Sequence, residues 1–374
     1  MLGDVIPAAT LKRWIATEVG LYRERVYSPL RTLTLFLEQV LSSDPSCQDA
    51  VARNFSEQVE SGRKPSSVNN GPYCAARKRL PLGLPTRMGR EIGARLVEQQ
   101  PDDWLWRKRQ VKLVDGTTVS MPDTAENQAS FPQNRRQKPG LGFPVARLVA
   151  VISLSCGAVL EWAVSACEGK MTGETSLLWA LSSHFKRGDV LIADRCYSGY
   201  FTIALMISLG VDVVMRQNAL RSTDFRRGKR LEKRDHVVLW VLPKKPAWMD
   251  DATYQSMPAT LTMRETRISE WTLVTTLLDA NDVSKGELLK MYQLRWQVEL
   301  DLRSIKDVMQ MGVLRCKSPA MVLKEIAVHL LAYNLVRAVM AQSAHLGKTL
   351  PCKLSFKATL QVLRAFEKTL CHCP

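Results

Sequence analysis

DVLIADRCYSGYFTIALMISLGVDVVMR, residues 189–216, decides the fold. Asp189 to Asp194 is an apolar strand that closes on a carboxylate, the stretch from about Gly199 to Leu209 reads as a helix, and Val211 to Met215 is a second apolar strand closing on Arg216. Short apolar runs on either side of a helix are the signature of a sheet whose strands are covered by helices. Residues that end strands in such sheets are where sites form.

Working upstream, Val111, Leu113 and Val114 lead into Asp115, Gly116 and Thr117. Arg147 to Ser155 and Ala158 to Ser165 are two apolar strands joined at Cys156 and Gly157, a hairpin pattern, and a helix is expected from about Glu174 to Phe185. The order is β, hairpin, α, β, α, β, which implies a mixed sheet covered by helices. Asp115 and Asp194 both end strands. If those strands are neighbours, the two carboxylates project at one edge. Asp115 before Gly116 also suits a turn, and Asp194 before Arg195 also suits a salt bridge or a helix cap.

Downstream, Tyr292, Arg295, Glu299 and Lys306 recur at spacings of three, four and seven within Lys290 to Asp307. On one continuous α-helix they fall in a stripe about 60° wide. Leu288, Leu289, Met291, Leu294, Trp296, Val298, Leu300, Leu302, Ile305 and Val308 surround most of the remaining circumference. The helix is therefore expected to be buried, with its charged stripe lining a cleft. Ser284 and Glu287 have the spacing of a capping box at its start. Arg295 and Arg303 each lie four residues from Glu299, which equally suits a salt-bridged face. With Asp115 and Asp194, Glu299 completes a set of three hard oxygen donors suited to Mg²⁺ or Mn²⁺.

Composition sets the class of partner. Lys plus Arg outnumber Asp plus Glu by 52 to 36, a net charge of +16, and hydrophobic residues make up 46% of the 374. A folded chain this basic suits a polyanion, and its length suggests two or three domains. Among the first ~105 residues, Thr32 to Leu41 and Cys47 to Val59 carry helical apolar spacing, and Tyr73 with Arg77, Lys78 and Arg79 forms a basic knot offered for DNA contact. No run approaches the ~18 apolar residues of a membrane span, and Asp4 and Pro7 interrupt the start, so a cytosolic protein is expected. The nine cysteines suit reduced thiols rather than a disulfide framework. Cys371, His372 and Cys373 stand too close together to form a tetrahedral zinc site alone.

VDGT around Asp115, LIAD ending in Asp194 and Arg195, and YQLRWQVELDLRSIK together resemble the DDE transposases of bacterial insertion sequences. The resemblance is to the group named for its Tyr-Arg-Glu-Lys signature, the insertion-sequence-four type. It spans roughly residues 105–340, and Tyr292, Arg295, Glu299 and Lys306 match that signature in full. It implies an α/β ribonuclease-H-like mixed sheet flanked by helices, with a largely β insertion and an α-helical N-terminal domain. The corresponding division is 1–105 for DNA-end binding, 106–217 and 271–345 for the two parts of the catalytic core, 218–270 for the insertion, and 346–374 for a C-terminal segment. It further implies Asp115, Asp194 and Glu299 as catalytic residues holding two Mg²⁺ or Mn²⁺ ions. Tyr292, Arg295, Lys306, Arg303 and Arg216 would then contact DNA.

The resemblance also implies that Trp271, 21 residues before Tyr292, stacks on a flipped base. Trp271 opens the apolar run WTLVTTLL and equally suits a core position. The insertion carries Arg221, Arg226, Arg227, Lys229, Arg230, Lys233 and Arg234, a cluster expected to face DNA. The partners implied are double-stranded DNA, as terminal inverted repeats and target, and a second copy of the chain in the synaptic complex, in the bacterial cytoplasm at the nucleoid. Two other readings keep the same residues: a ribonuclease-H-fold nuclease or resolvase without strand transfer, and a non-catalytic DNA-binding regulator derived from a transposase. An aspartyl-phosphate enzyme is excluded because Leu113 stands where its pattern needs an aspartate.

Overall fold

A computed structural model describes residues 6–23, 25–138 and 140–366. Asp4 and the Cys371-His372-Cys373 run lie outside them. The N-terminal helices are α1 (Ala8–Val19), α2 (Pro29–Leu41), α3 (Cys47–Glu60), α4 (Gly71–Arg79) and α5 (Gly83–Glu98). Serines cap two of them: Ser28 accepts from the Arg31 amide and Ser46 from the Asp49 amide. α1 and α5 went unread in the sequence. They are structurally important, because Leu11, Leu84, Met88 and Ile92 join a core that also holds strand residues such as Val111 and Ile152. Part of the N-terminal helical region thus shares an apolar core with the sheet, beside a smaller cluster of its own around Tyr27, Leu35 and Tyr73.

The sheet begins with β1 (Val111–Ser120), followed by the short helix α6 (Ala125–Ser130), then β2 (Val145–Ser153) and β3 (Val159–Ala166). β1, β2 and β3 form an antiparallel meander. Gly157, at φ 70°, makes the expected turn between β2 and β3, and a Cβ there would meet the Arg337 guanidinium. Next come α7 (Glu174–Ala180), β4 (Val190–Ala193), α8 (Tyr200–Ser208) and β5 (Asp212–Arg216). β4 is short and wholly buried because it lies between two parallel neighbours, β1 and β5.

The segment 218–270 contributes β6 (Lys229–Glu232), β7 (Asp235–Val241), the short helix α9 (Asp251–Gln255) and β8 (Thr260–Ile268), and β9 (Trp271–Thr275) follows. Its strands do not stand apart. β9 pairs antiparallel with β5, and the nine strands form one sheet in the order β3-β2-β1-β4-β5-β9-β8-β7-β6. Arg264 of β8, fully buried, makes a two-pronged ion pair with Asp235 and donates to the Val283 carbonyl at 2.6 Å. That bond ties the sheet extension to the residue just ahead of the glutamate helix.

The remaining helices are α10 (Lys285–Gln293), α11 (Trp296–Arg303), α12 (Pro319–Leu346) and α13 (Phe356–Ala365). α12 is long and apolar enough to cross a membrane by length and composition, but 83% of that apolar window is buried inside the protein. It is a core helix. Asn334 stitches it to the sheet and to α5, accepting from the Val159 amide and donating to the carbonyls of Gly89 and Val159. Buried Arg337 pairs with buried Asp301 of α11 and donates to the Tyr333 hydroxyl.

Candidate active site

The two aspartates meet as the strand order requires, with one correction. β1 does not end at Asp115; it continues to Ser120, paired with β2. What ends there is the parallel pairing with β4, whose last register pair is Val114 with Ala193. Asp115 and Asp194 are therefore the next residues on two adjacent parallel strands, at the same edge. Adjacent strands lie ~4.8 Å apart, so the two aspartates stand side by side at that edge. Asp115 accepts from the Gly116 amide at 2.8 Å, and Asp194 caps a single 3₁₀ turn, Arg195–Tyr197, by accepting from the Arg195 amide at 2.6 Å.

The glutamate helix departs from the regular stripe. Ser284 and Glu287 form the expected capping box. The α-helix then breaks at Leu294 and Arg295, where Arg295 N–H bonds back to Tyr292 and Val298 N–H to Arg295, three residues each. After α11 the chain widens into a π-turn, Ser304–Val308. A tight turn followed by a wide one is a common mark of a functional site. A second correction concerns burial: Leu294, Trp296 and Leu300 are exposed, Trp296 by 52%. The helix packs on one side only and shows apolar surface beside its charged residues.

Arg295, placed in the break, joins the site. Its guanidinium lies 2.6 Å from Glu299 and 3.7 Å from Asp115. Burial works against the charge of Arg295, but Glu299, Tyr292 and Asp194 hold its pKa above the ordinary arginine value. Burial raises Asp115 to about 6, opposed by the Gly116 amide and Arg295 and reinforced by Glu174 and Glu299. Among the described residues no three ligating side chains are already drawn together for an ion. The donor chemistry nonetheless fits a hard divalent ion, since two of the carboxylates already share a cation and the third stands on the neighbouring strand.

A second cluster adjoins the first. Trp271, at the start of β9, packs its ring 5.3 Å from Tyr292, and the Arg216 guanidinium sits 6.0 Å over Trp271. The separation of 21 residues is thus spanned in space. Tyr292 is only 8% exposed, with its hydroxyl raised to about 12 by burial, so its ring braces Trp271 more than it meets solvent.

Other residues are not brought in. Lys306, half-buried in the π-turn, lies about 10 Å beyond Glu299 along the helix. Its backbone carbonyl accepts from Gly312, which in turn accepts from the Ser120 amide at the far end of β1. Arg303 and Arg79 are exposed, and among the described residues no ion pair joins either of them to the three carboxylates. Tyr73 and Arg77 require correction as DNA contacts. Tyr73 is fully buried and bonded to Gln39, and Arg77 lies 3.8 Å over the Phe36 ring, donating to the sulfurs of Cys47 and Cys316. The basic knot turns inward because its arginine finds an aromatic face and two thiols. Glu174, at the start of α7, went unread; its carboxylate lies where a Cβ at Gly116 would stand, 2.5 Å away, and its charge is one of those that raise Asp115.

These features define a ribonuclease-H-like fold with a carboxylate cluster at the edge of its parallel strands. The model of the transposase DDE domain family matches residues 106–335, well over half of the chain, and the chain belongs to that family. It is 28% identical over 304 residues to "Transposase InsG for insertion sequence element IS4" of Escherichia coli (strain K12), a match covering 76% of this chain and 66% of that protein's length. Its fold is similar to that in a cryo-EM structure of a piggyBac transposase synaptic complex with hairpin DNA. The TM-score is 0.50 at 10% identity, covering all of this chain and 81% of that one.

Proposed function

We propose that this chain is a DNA transposase that moves an insertion sequence by cut-and-paste phosphoryl transfer, with Asp115, Asp194 and Glu299 as its catalytic carboxylates. The observation that carries the reading is the shared cation: Arg295 bridges Asp115 and Glu299 while Asp194 follows the last register pair on the adjacent strand. The three acids would hold two Mg²⁺ or Mn²⁺ ions, which when bound activate the attacking oxygen and stabilise the leaving one. Arg295 keeps two of the acids spaced for a cation and has further N–H donors for a DNA phosphate. Trp271, braced by Tyr292, offers a ring face to a displaced base, and Arg216 above it takes the adjoining phosphate. Lys306, Arg303 and the basic stretch 221–234 extend the phosphate track.

The DNA partners are the element's terminal inverted repeats and a target duplex, engaged by two copies of the chain at the bacterial nucleoid. Water attacks first at the element end and frees its 3′-hydroxyl, which attacks the opposite strand to close a hairpin; water reopens the hairpin, and the same hydroxyl then joins the target, each attack expelling a 3′-oxygen from phosphorus. The test is a Mg²⁺-dependent reaction on a labelled duplex carrying a terminal inverted repeat. Nicking followed by joining supports transposition, nicking without joining supports the nuclease reading, and binding without nicking supports a regulator.

A further inference from the structure

Past the end of β1 the chain turns through a basic loop before β2, and there two large apolar side chains stand in water: Leu141 is 75% exposed and Phe143 63%. Gly142 between them is buried. Its amide donates to the Gln133 side chain at 3.2 Å, and its carbonyl accepts from Gln128 at 3.1 Å. Gln133 also donates to the carbonyls of Gln137 and Lys138, and a Cβ at residue 142 would collide with the side chains of Gln133 and Gln137. Arg135 fastens the loop to the connection ahead of α7: its amide donates to Glu168 at 2.9 Å and its guanidinium pairs with the same carboxylate at 2.6 Å. The two apolar side chains are thus held outward by a loop ordered in advance, which spares a partner much of the entropy cost of binding.

Single exposed apolar side chains are ordinary on a protein surface. This pair is set among cations. Residues 131–144 include Arg135, Arg136 and Lys138 and no acid, and among the described residues Arg136 and Lys138 form no ion pair. Charge of one sign around two apolar groups matches duplex DNA, whose phosphates take the cations and whose base steps admit an apolar wedge. The position agrees. β1 runs five residues past Asp115 to Ser120, ~16 Å of strand, so the loop overhangs the edge where Asp115 and Asp194 stand. Trp271 overhangs the same edge from the other side, on β9, two strand steps from β4 and two residues beyond Leu273, the register partner of Arg216. A duplex with its cut phosphate at the acids and its displaced base at Trp271 therefore leaves the site toward the loop.

We propose that Leu141 and Phe143, framed by Arg135, Arg136 and Lys138, grip the duplex that is being cut, on the side of the carboxylates away from Trp271, with the apolar pair wedged against a base step. The proposal rests on the DNA-cutting reading above. Its test is a hydroxyl-radical footprint of the full chain, at saturating protein and without Mg²⁺, on a duplex in which a terminal inverted repeat continues into flanking sequence. The wild type should protect the backbone on both sides of the cleavage point.

Leu141→Ser combined with Phe143→Ser should erase protection on one side and keep it on the other. Affinity should fall on the order of tenfold, the scale of one lost contact with a base. Both side chains are exposed, so the melting temperature should match the wild type. Arg136→Ala combined with Lys138→Ala should make the slope of log affinity against log salt shallower by about two. Wild-type protection on both sides in the Leu141 and Phe143 variant overturns the proposal, as does uniform loss on both sides or a defect confined to a separate target duplex. A wild type that protects no duplex would instead remove the DNA-cutting reading, and this proposal with it.

Discussion

Arg295 and Glu299 are joined by a 2.6 Å ion pair across the first turn of α11, just past the break from α10. The cation caps α11 and the carboxylate stands one turn into it, so the pair holds that first turn together where the backbone has just broken. Arg295→Ala should lower the stability of the metal-free protein by no more than about 1 kcal/mol, the usual scale for a partly exposed i,i+4 pair. Binding to a terminal repeat should weaken, with the slope of log affinity against log salt becoming shallower by about one. An unchanged slope would remove Arg295 from the phosphate track.

The three acids should be separable from DNA binding. Asp115→Asn, Asp194→Asn and Glu299→Gln are each expected to abolish Mg²⁺-dependent nicking while retaining end binding in a gel-shift assay. Retained nicking in any one of them would strike that residue from the catalytic set.

The raised pKa of Asp115 has a defined sign. Its folded value of about 6 lies above the ~4 of an unfolded aspartate, so the folded, metal-free chain binds more protons between those values. The contribution of Asp115 to stability is therefore full below about pH 4 and lost as pH rises through about 6. Melting in EDTA across this range should show the wild type losing stability relative to Asp115→Asn as pH rises. Mn²⁺, which needs the carboxylate, should bind more weakly as pH falls below about 6.

Trp271→Ala should reduce the fluorescence response of 2-aminopurine placed at the cleavage end, with ~1 to 3 kcal/mol of stacking removed. Trp271→Phe should restore much of the signal. If Trp271→Ala flips the base as well as the wild type does, the residue is core and no platform.

Arg337→Ala should be among the most damaging substitutions far from DNA. It would leave buried Asp301 without its counter-charge, at a cost of about 3 to 5 kcal/mol measured by denaturant unfolding.

The carboxylates were legible because their physics is local: two apolar strands run into acids, and a helix repeats a charged spacing. The break at Leu294 and Arg295 was hidden, since neither residue is proline or glycine and both keep helical backbone angles. Tyr73 and Arg77 misled because a basic run reads as surface until a buried ring and two thiols accept it. Strands β6 to β8 were expected as an insertion from the family resemblance, and their continuity with the sheet was hidden because the strand that attaches them, β9, begins only at Trp271. Glu174 could not be read at all without knowing which strand its helix crosses.

The unbroken sheet also works as a ruler. From β4, beside the carboxylate edge, to the basic edge strand β6 is five strand steps, roughly 24 Å. A duplex lying across that face covers this distance in about seven base pairs. Because hydrogen bonds link every step, the basic edge should touch the backbone at a fixed offset from the cut, visible as a protected patch in a hydroxyl-radical footprint. The distance between grip and scission would then be set by strand count, whatever sequence the element carries.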